Sequence, residues 1–172
     1  MTSASATKAL AELTRRGETL ATAESLTGGL LGRLLTDVPG ASAAYLGGVI
    51  SYATRLKVTL AGVDADQLAA DGPVAARTAA SMAAGVARRC TADWGLATTG
   101  VAGPDPQDGH PVGQVFVAVA GGPGARSRVV ELALTGGREE IRQQTADAAL
   151  DLLVTELAAV ADGVQPTVEV QP

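Results

Sequence analysis

The sequence predicts an α/β protein, a single domain with three-layer α/β/α architecture built on a mixed β-sheet. Short apolar segments alternate with amphipathic ones through the first hundred residues, which is typical of parallel strands joined by helices. Two later apolar segments are joined by a glycine-rich turn at 121–124, which indicates an antiparallel hairpin. The chain has 172 residues, 47% hydrophobic and only 2% aromatic, so we expect one core made of Ala, Val and Leu.

The first half of the chain shows clear boundaries between these segments. Apolar residues at helical spacing predict a helix over 6–16, and Gly17 would end it. A buried strand is predicted over 20–23, and a helix is predicted to begin near Leu30 and to close at Pro39. The turn between that strand and that helix is therefore a loop at the carboxyl end of a strand, where α/β proteins place their sites.

The remaining elements follow by the same reasoning. We predict strands over 45–52, 94–99, 114–120 and 127–134, and helices over 54–61, 74–90 and 138–160. The domain is expected to span 1–161, and residues 162–172, which end in VQPTVEVQP, are expected to form a flexible tail.

Composition narrows the classes of function. The net charge is -5, no basic run stands out and aromatic residues are scarce, which argues against nucleic acid as a partner. Cys90 is the only cysteine and His110 the only histidine, and no carboxylate cluster has metal-ligand spacing. Neither a metal nor another cofactor is therefore expected. With no signal peptide and no apolar run of spanning length, we expect a cytoplasmic protein without a membrane partner.

Ser25 is the first candidate for chemistry. It lies in the segment TAESLTGG, residues 22–29, at a turn from strand to helix. Backbone N–H groups at a helix start can stabilise an oxyanion, which suits a nucleophilic serine. The alternative is an ordinary helix cap, which is a common use of Ser. Glu24 is equally open to two interpretations, because it either orients the backbone or pairs with an arginine.

A serine nucleophile needs a base, and the chain offers few. His110 lies in a loop rich in Gly, Pro and Asp, and no motif supports a Ser-His-Asp triad. Lys8 lies in the first predicted helix, where it is expected to be solvated. Lys57 would serve if burial depressed its pKa, with Tyr52 positioning the amine or relaying a proton; otherwise it is a surface lysine.

Two further features are open to both a binding and a structural interpretation. The loop TTGVAGP, residues 98–104, follows a buried strand and either cradles a phosphate or carbonyl group or is simply a turn. Arg138 and Arg142 share one helix face, where they either clamp a phosphate or form a solvated face with Glu139 or Asp147.

Together these segments resemble one family. The resemblance rests on 22–29, 47–63, 99–104, 111–120 and 135–150. These segments are similar to the C-terminal domain of the CinA proteins, whose stand-alone members are nicotinamide-nucleotide amidases (PncC). The resemblance covers residues 6–161 and implies that nicotinamide mononucleotide and water give nicotinate mononucleotide and ammonia. Leu26, Thr99 and Gly137 depart from the family pattern, and each departure could alter how the substrate fits.

The resemblance also implies roles for individual residues. Ser25 matches the family's catalytic serine, Lys57 its lysine and Tyr52 the tyrosine between them. The substrate-binding residues expected on this basis are Thr27, Gly28, Gly29, Thr99, Gly100, Gly103, Arg138 and Arg142. No metal is implied, the ligand is a nucleotide and a homo-oligomer is expected. Longer members carry an N-terminal nucleotide-pyrophosphatase domain, for which 172 residues leave no room.

Two other functions are consistent with the same residues. One is a non-catalytic, competence-associated module that binds a nucleotide. The other is a Ser–Lys hydrolase that acts on a different small amide. The joint presence of Ser25, Tyr52 and Lys57 favours an enzyme over a binding module, but it does not select the amide.

Overall fold

A computed structural model describes residues 2–162, which form a five-stranded sheet with helices on both faces. In chain order the elements are α1 (Ala4–Arg16), β1 (Leu20–Glu24), α2 (Leu30–Thr36), β2 (Tyr45–Ile50), α3 (Thr54–Thr59), α4 (Ala65–Asp71), α5 (Ala76–Cys90), β3 (Trp94–Gly100), β4 (Gln114–Gly121), β5 (Arg126–Ala133) and α6 (Arg138–Ala161). The predicted three-layer α/β architecture is confirmed.

The strand order brings three strand ends together. The order is β2-β1-β3-β4-β5, in which β1 pairs in parallel with β2 and β3, while β4 is antiparallel to both of its neighbours. Glu24 is in register with Ile50 on one side and with Thr98 on the other. The residues that follow these three strands therefore leave the sheet side by side, at its carboxyl edge.

The two faces of the sheet are packed differently. Helices α1, α2 and α6 cover one face with large side chains such as Leu13, Leu31 and Leu153. Helix α5 covers the other face mainly with alanines, and it lies so close that a Cβ on Gly95 would be 1.9 Å from the carbonyl oxygen of Ala83. The scarcity of aromatic residues thus allows a helix to pack against the sheet backbone.

The structure corrects several element boundaries. Helix α4 was not predicted, because it has seven residues and buries only Leu68; its start is marked by Asp64, whose carboxylate accepts from the N–H of Gln67 at 2.9 Å. Strand β2 ends at Ile50 instead of continuing to Tyr52, and helix α3 ends at Thr59. A short 3-10 turn at 41–43 was also missed. Apart from residue 162, the predicted tail lies outside the described residues.

Candidate active site

Ser25 is the first residue after β1, and it is buried. Its backbone N–H donates to the carbonyl oxygen of Thr98 at 3.0 Å, so the chain is still tied to β3 at this point. Helix α2 begins only at Leu30, and its cap residue is Gly29, which has no side chain to make the cap hydrogen bond. The cap interpretation of Ser25 therefore does not apply, and its hydroxyl is free for another role.

The carboxylate of Glu24 takes the place of a cap. It is almost fully buried and accepts from the N–H groups of Gly29 at 2.9 Å, Leu31 at 3.1 Å and Gly32 at 2.8 Å. A negative charge at the amino end of a helix is stabilised by those N–H groups and by the helix dipole. Of the two interpretations of Glu24, the structure shows the one in which it orients the backbone.

Lys57 lies directly against Ser25. Its Nζ is 2.9 Å from the Ser25 Oγ and 3.1 Å from the carbonyl oxygen of Ser51, and the side chain is only 2% exposed. Burial lowers the pKa of Lys57 to about 8, because desolvation disfavours the ammonium form. Lys57 is thus no surface lysine. Nζ is placed to donate to both oxygens as an ammonium, and the neutral amine can donate to Ser51 while its lone pair accepts the Ser25 proton.

Tyr52 lies at the mouth of the site and does not bridge Ser25 and Lys57. Its ring is 57% exposed, and its hydroxyl oxygen accepts from Nη2 of Arg138 at 2.7 Å. The direct contact between the amine and the serine leaves no gap for a relay. The group that holds the amine is the Ser51 carbonyl, which side-chain patterns in the sequence do not reveal because it belongs to the backbone.

One cavity collects most of the predicted residues. Its lining includes Ser25, Leu26, Tyr52, Lys57, Thr99, Gly100, Gly103, Asp105, Gln107 and Arg138. Asp105 and Gln107 were not predicted, since they belong to an irregular loop with no recognisable spacing. The catalytic candidates and the loop at 98–104 therefore face the same space.

The loop after β3 is built closely onto its neighbours. Gly100 has no room for a side chain, because a Cβ there would be 2.6 Å from the carbonyl oxygen of Gln114. The Thr99 hydroxyl donates to the carbonyl oxygen of Pro73 at 2.6 Å, so it is committed to the protein. Gly103 presents its carbonyl oxygen to Nη1 of Arg138 at 2.6 Å. The glycines of this loop thus allow close packing against neighbouring strands as well as access to the cavity.

Four predicted binding residues lie outside the cavity lining. Thr27 is fully buried with its hydroxyl 2.8 Å from that of Thr98, and Gly28 and Gly29 adopt positive φ values of 57° and 100° within the turn. Arg142 donates from Nε to the carbonyl oxygen of Leu26 and from Nη2 to that of Thr27, at 3.0 and 2.7 Å. We infer that the side chains of these four shape the loop at 25–29, called here the Ser25 loop, and do not contact substrate.

Other titratable groups are engaged elsewhere. The His110 Nδ1 is 2.8 Å from the Gln114 Oε1 and makes no contact with Ser25. Neither Arg138 nor Arg142 forms an ion pair with Glu139 or Asp147 in the described part of the chain. Within residues 2–162, no group of three or more His, Cys, Asp or Glu side chains is placed to hold a metal ion. No helix among those residues is long and apolar enough to cross a membrane.

Known proteins resemble the sequence of this chain over most of its length. The model of the CinA C-terminal domain matches residues 2–157. The chain belongs to the CinA C-terminal domain family. A CinA-like protein of Frankia casuarinae is 54% identical over 148 residues, which is 86% of this chain and 34% of that protein. A CinA-like protein of Gloeobacter violaceus is 46% identical over 157 residues, 91% of this chain and 36% of that protein. The chain thus spans about a third of these relatives.

Solved structures of the CinA family match along nearly their whole length. The competence/damage inducible protein CihA from Agrobacterium tumefaciens is 32% identical with a TM-score of 0.83, and the match covers 92% of this chain and 98% of that one. A CinA superfamily protein from Klebsiella pneumoniae is 30% identical with a TM-score of 0.84, covering 90% and 96%. The single-domain sheet with its helices is therefore the fold of this family.

Proposed function

We propose that this CinA-family chain is an amidase that hydrolyses the carboxamide of nicotinamide mononucleotide. The observation that carries the proposal is the buried Lys57 amine, 2.9 Å from the Ser25 hydroxyl. A lysine with a depressed pKa beside a serine is the arrangement needed to activate that serine as a nucleophile. The nucleotide itself comes from the family resemblance, and the cavity residues support it through Arg138.

The first half of the reaction acylates Ser25. The neutral Lys57 amine takes the hydroxyl proton as the Ser25 Oγ attacks the amide carbon, which gives a tetrahedral oxyanion. The carbon–nitrogen bond then breaks. The Lys57 ammonium returns its proton to the leaving nitrogen, so ammonia departs and an ester of Ser25 remains.

The second half regenerates the enzyme by the same route. Neutral Lys57 takes a proton from water as the water oxygen attacks the ester carbon. When the second tetrahedral intermediate collapses, the proton passes from Lys57 to the Ser25 Oγ, and the product acid leaves as a carboxylate after its remaining proton passes to solvent. The carbonyl of Ser51 holds the amine in place through both halves, because its hydrogen bond does not involve the reacting atoms.

The phosphate of the nucleotide is assigned to Arg138. This residue begins α6, lines the cavity and is exposed at its mouth. Its two observed hydrogen bonds, to Gly103 and Tyr52, leave other guanidinium N–H groups free to donate. The positive end of a 24-residue helix adds to the attraction for an anion.

The proposal is tested by measuring ammonia release from nicotinamide mononucleotide, with nicotinamide riboside and glutamine as controls. Rapid release from the nucleotide, slower release from the riboside and none from glutamine are expected. Tight binding of the nucleotide without ammonia release would favour the binding module instead. Release from another small amide alone would favour a Ser–Lys hydrolase of different specificity.

Self-association stays a prediction from the family resemblance. Edge strand β2 exposes half of the side chains of Leu46 and Ile50. Apolar residues on an unpaired edge are unusual in a monomer, which supports the prediction. Sedimentation velocity on the purified chain measures the oligomeric state.

A further inference from the structure

Arg142 joins helix α6 to the loop that carries Ser25. It lies one helical turn after Arg138 and is partly buried. Both of its observed hydrogen bonds go to backbone carbonyl oxygens, those of Leu26 and Thr27. A charged donor makes stronger hydrogen bonds than a neutral one, so the orientation of these two peptide groups is firmly set.

The orientation of a carbonyl fixes the N–H group on the same peptide. In a planar trans peptide the C=O and N–H vectors point in opposite directions. The Leu26 carbonyl points to Arg142, so the N–H of Thr27, which shares that peptide group, points away from Arg142. Among the described residues, neither this N–H nor that of Leu26 donates a hydrogen bond to the protein. The Thr27 carbonyl fixes in the same way the N–H of Gly28, which donates to the Ser25 carbonyl oxygen at 3.1 Å and so orients the peptide that carries the Leu26 N–H. Arg142 thus orients the unpaired Thr27 N–H directly and the unpaired Leu26 N–H through Gly28.

The Ser25 loop is held by two side chains of opposite charge, Glu24 and Arg142. Glu24 binds N–H groups at the start of α2, and Arg142 binds carbonyl oxygens in the middle of the loop. The carboxylate accepts from N–H groups and the guanidinium donates to carbonyl oxygens. In the described part of the chain the two residues form no ion pair with each other. The peptide groups between them are aligned before any substrate binds.

We propose that Arg142 is a positioning residue that holds the Leu26 and Thr27 N–H groups ready to stabilise the oxyanion formed on Ser25 attack. This inference rests on the proposed Ser25 chemistry. Donors that are aligned in advance stabilise developing charge without reorganising during the reaction. Arg142 acts through the backbone and does not itself touch substrate, whereas Arg138 faces the cavity.

The proposal predicts different kinetic defects for the two arginines. Arg142→Ala should lower kcat for ammonia release by about 10²-fold, the usual cost of losing one oxyanion donor, with little change in KM. Arg142→Lys should be less impaired, because an ammonium can still bind one carbonyl. Millimolar guanidinium should partly restore kcat in Arg142→Ala. Arg138→Ala is the matched control, and its defect should lie in KM.

A second measurement does not depend on the nucleotide. A fluorophosphonate probe phosphonylates an activated serine: the Ser25 oxygen bonds to phosphorus, Lys57 takes the proton and fluoride leaves. Labelling, followed by intact mass, should be slow in Arg142→Ala and unchanged in Arg15→Ala, an exposed arginine of α1 that pairs with Glu12. Thermal denaturation verifies that both variants fold. Wild-type labelling without ammonia release would refute only the nucleotide amidase. An unlabelled wild type, or equal labelling of wild type and folded Arg142→Ala, would overturn the positioning role.

Discussion

Two loops border the candidate site, and they are built in opposite ways. Residues 25–27 are buried and are fixed by Glu24, Thr98 and Arg142. Residues 104–109 of the other loop are exposed, although Gly100 at its start is packed tightly against β4. A nucleophile and its oxyanion donors must hold their geometry closely, whereas contacts that select a substrate tolerate more variation. The difference suggests that the first loop governs kcat and the second governs KM.

The largest expected effect comes from the buried loop. Ser25→Ala should lower ammonia release by about 10⁴-fold or more, because no other group can form the acyl intermediate. The fold should survive, since the Ser25 hydroxyl makes no cap bond and its contact is with Lys57. Turnover and circular dichroism are measured together.

Ser51→Ala is the matched control for this change. Ser51 is also buried, but it holds Lys57 through its backbone carbonyl, which alanine retains. Its turnover should stay within a few-fold of wild type. If Ser25→Ala turned over at the wild-type rate, the acyl-enzyme mechanism would be wrong.

The next effect concerns Lys57 and the pH profile. Only the neutral amine can accept the serine proton, and burial sets the pKa of Lys57 at about 8. The value of kcat/KM should therefore fall about tenfold per pH unit below pH 8 and level off above it. Lys57→Arg should lose at least about 10³-fold, because a guanidinium keeps its proton.

Stability supplies the control for Lys57. The folded pKa lies below the usual value of 10.5, so the unfolded chain binds more protons between pH 8 and 10.5, and stability should rise with pH there. Lys57→Met removes this titration, so its free energy of unfolding should lack that rise. A pH-independent kcat/KM, or parallel stability curves for the two proteins, would show that the amine is not titrating where burial places it.

A smaller effect is expected at Glu24. Glu24→Gln keeps the shape but turns an amide NH₂ towards N–H donors, which should cost about 1–3 kcal/mol of stability. Loosening the Ser25 loop should also lower kcat by roughly tenfold, with KM nearly unchanged. Chemical denaturation and steady-state kinetics measure the two quantities. Glu139→Gln, an exposed change in the first turn of α6, serves as the control. An equal loss of stability and kcat in Glu139→Gln would show that the effect is not specific to the Glu24 contacts.

Part of this site could be predicted from the sequence. Strand ends and turn residues made Ser25 a candidate and the scarcity of bases made Lys57 one, while their catalytic roles came from the family resemblance. The anchoring carbonyl of Ser51 could not be found, since a backbone group has no side-chain pattern. Arg138 and Arg142 were grouped because they share a helix face, but four residues advance a helix by about 6 Å. Arg138 therefore lies at the cavity mouth, whereas Arg142 lies against the Ser25 loop.

The fold, too, was predicted only where it depends on local sequence patterns. The long helices and the hairpin were predicted because periodicity and turn chemistry are local properties. Helix α4 was not predicted because a single buried leucine gives no periodic pattern. The order of the strands, which puts β1 between β2 and β3, depends on contacts between distant segments. That order is what places Ser51 and Thr98 on either side of Ser25.

The smallest effect is expected at Arg138, which begins α6 and contacts the exposed loop through the Gly103 carbonyl, and it tests the other half of the comparison. Arg138 connects Gly103 to Tyr52 across the cavity mouth. Arg138→Ala should raise KM for nicotinamide mononucleotide by roughly tenfold, about 1.4 kcal/mol, as expected for loss of one exposed charged contact to the phosphate. The phosphate-free riboside should lose little, and kcat should be nearly unchanged for both substrates.

Tyr52→Phe separates this binding role from a proton relay. The change removes the acceptor for Arg138 but leaves the contact between Lys57 and Ser25 intact. Because that contact is direct, kcat should stay within about threefold of wild type, and only KM for the nucleotide should rise slightly. A large loss of kcat in Tyr52→Phe would restore the tyrosine to the chemical step. Equal losses on nucleotide and riboside in Arg138→Ala would instead assign that arginine to loop structure, and the division between a kcat loop and a KM loop would fail.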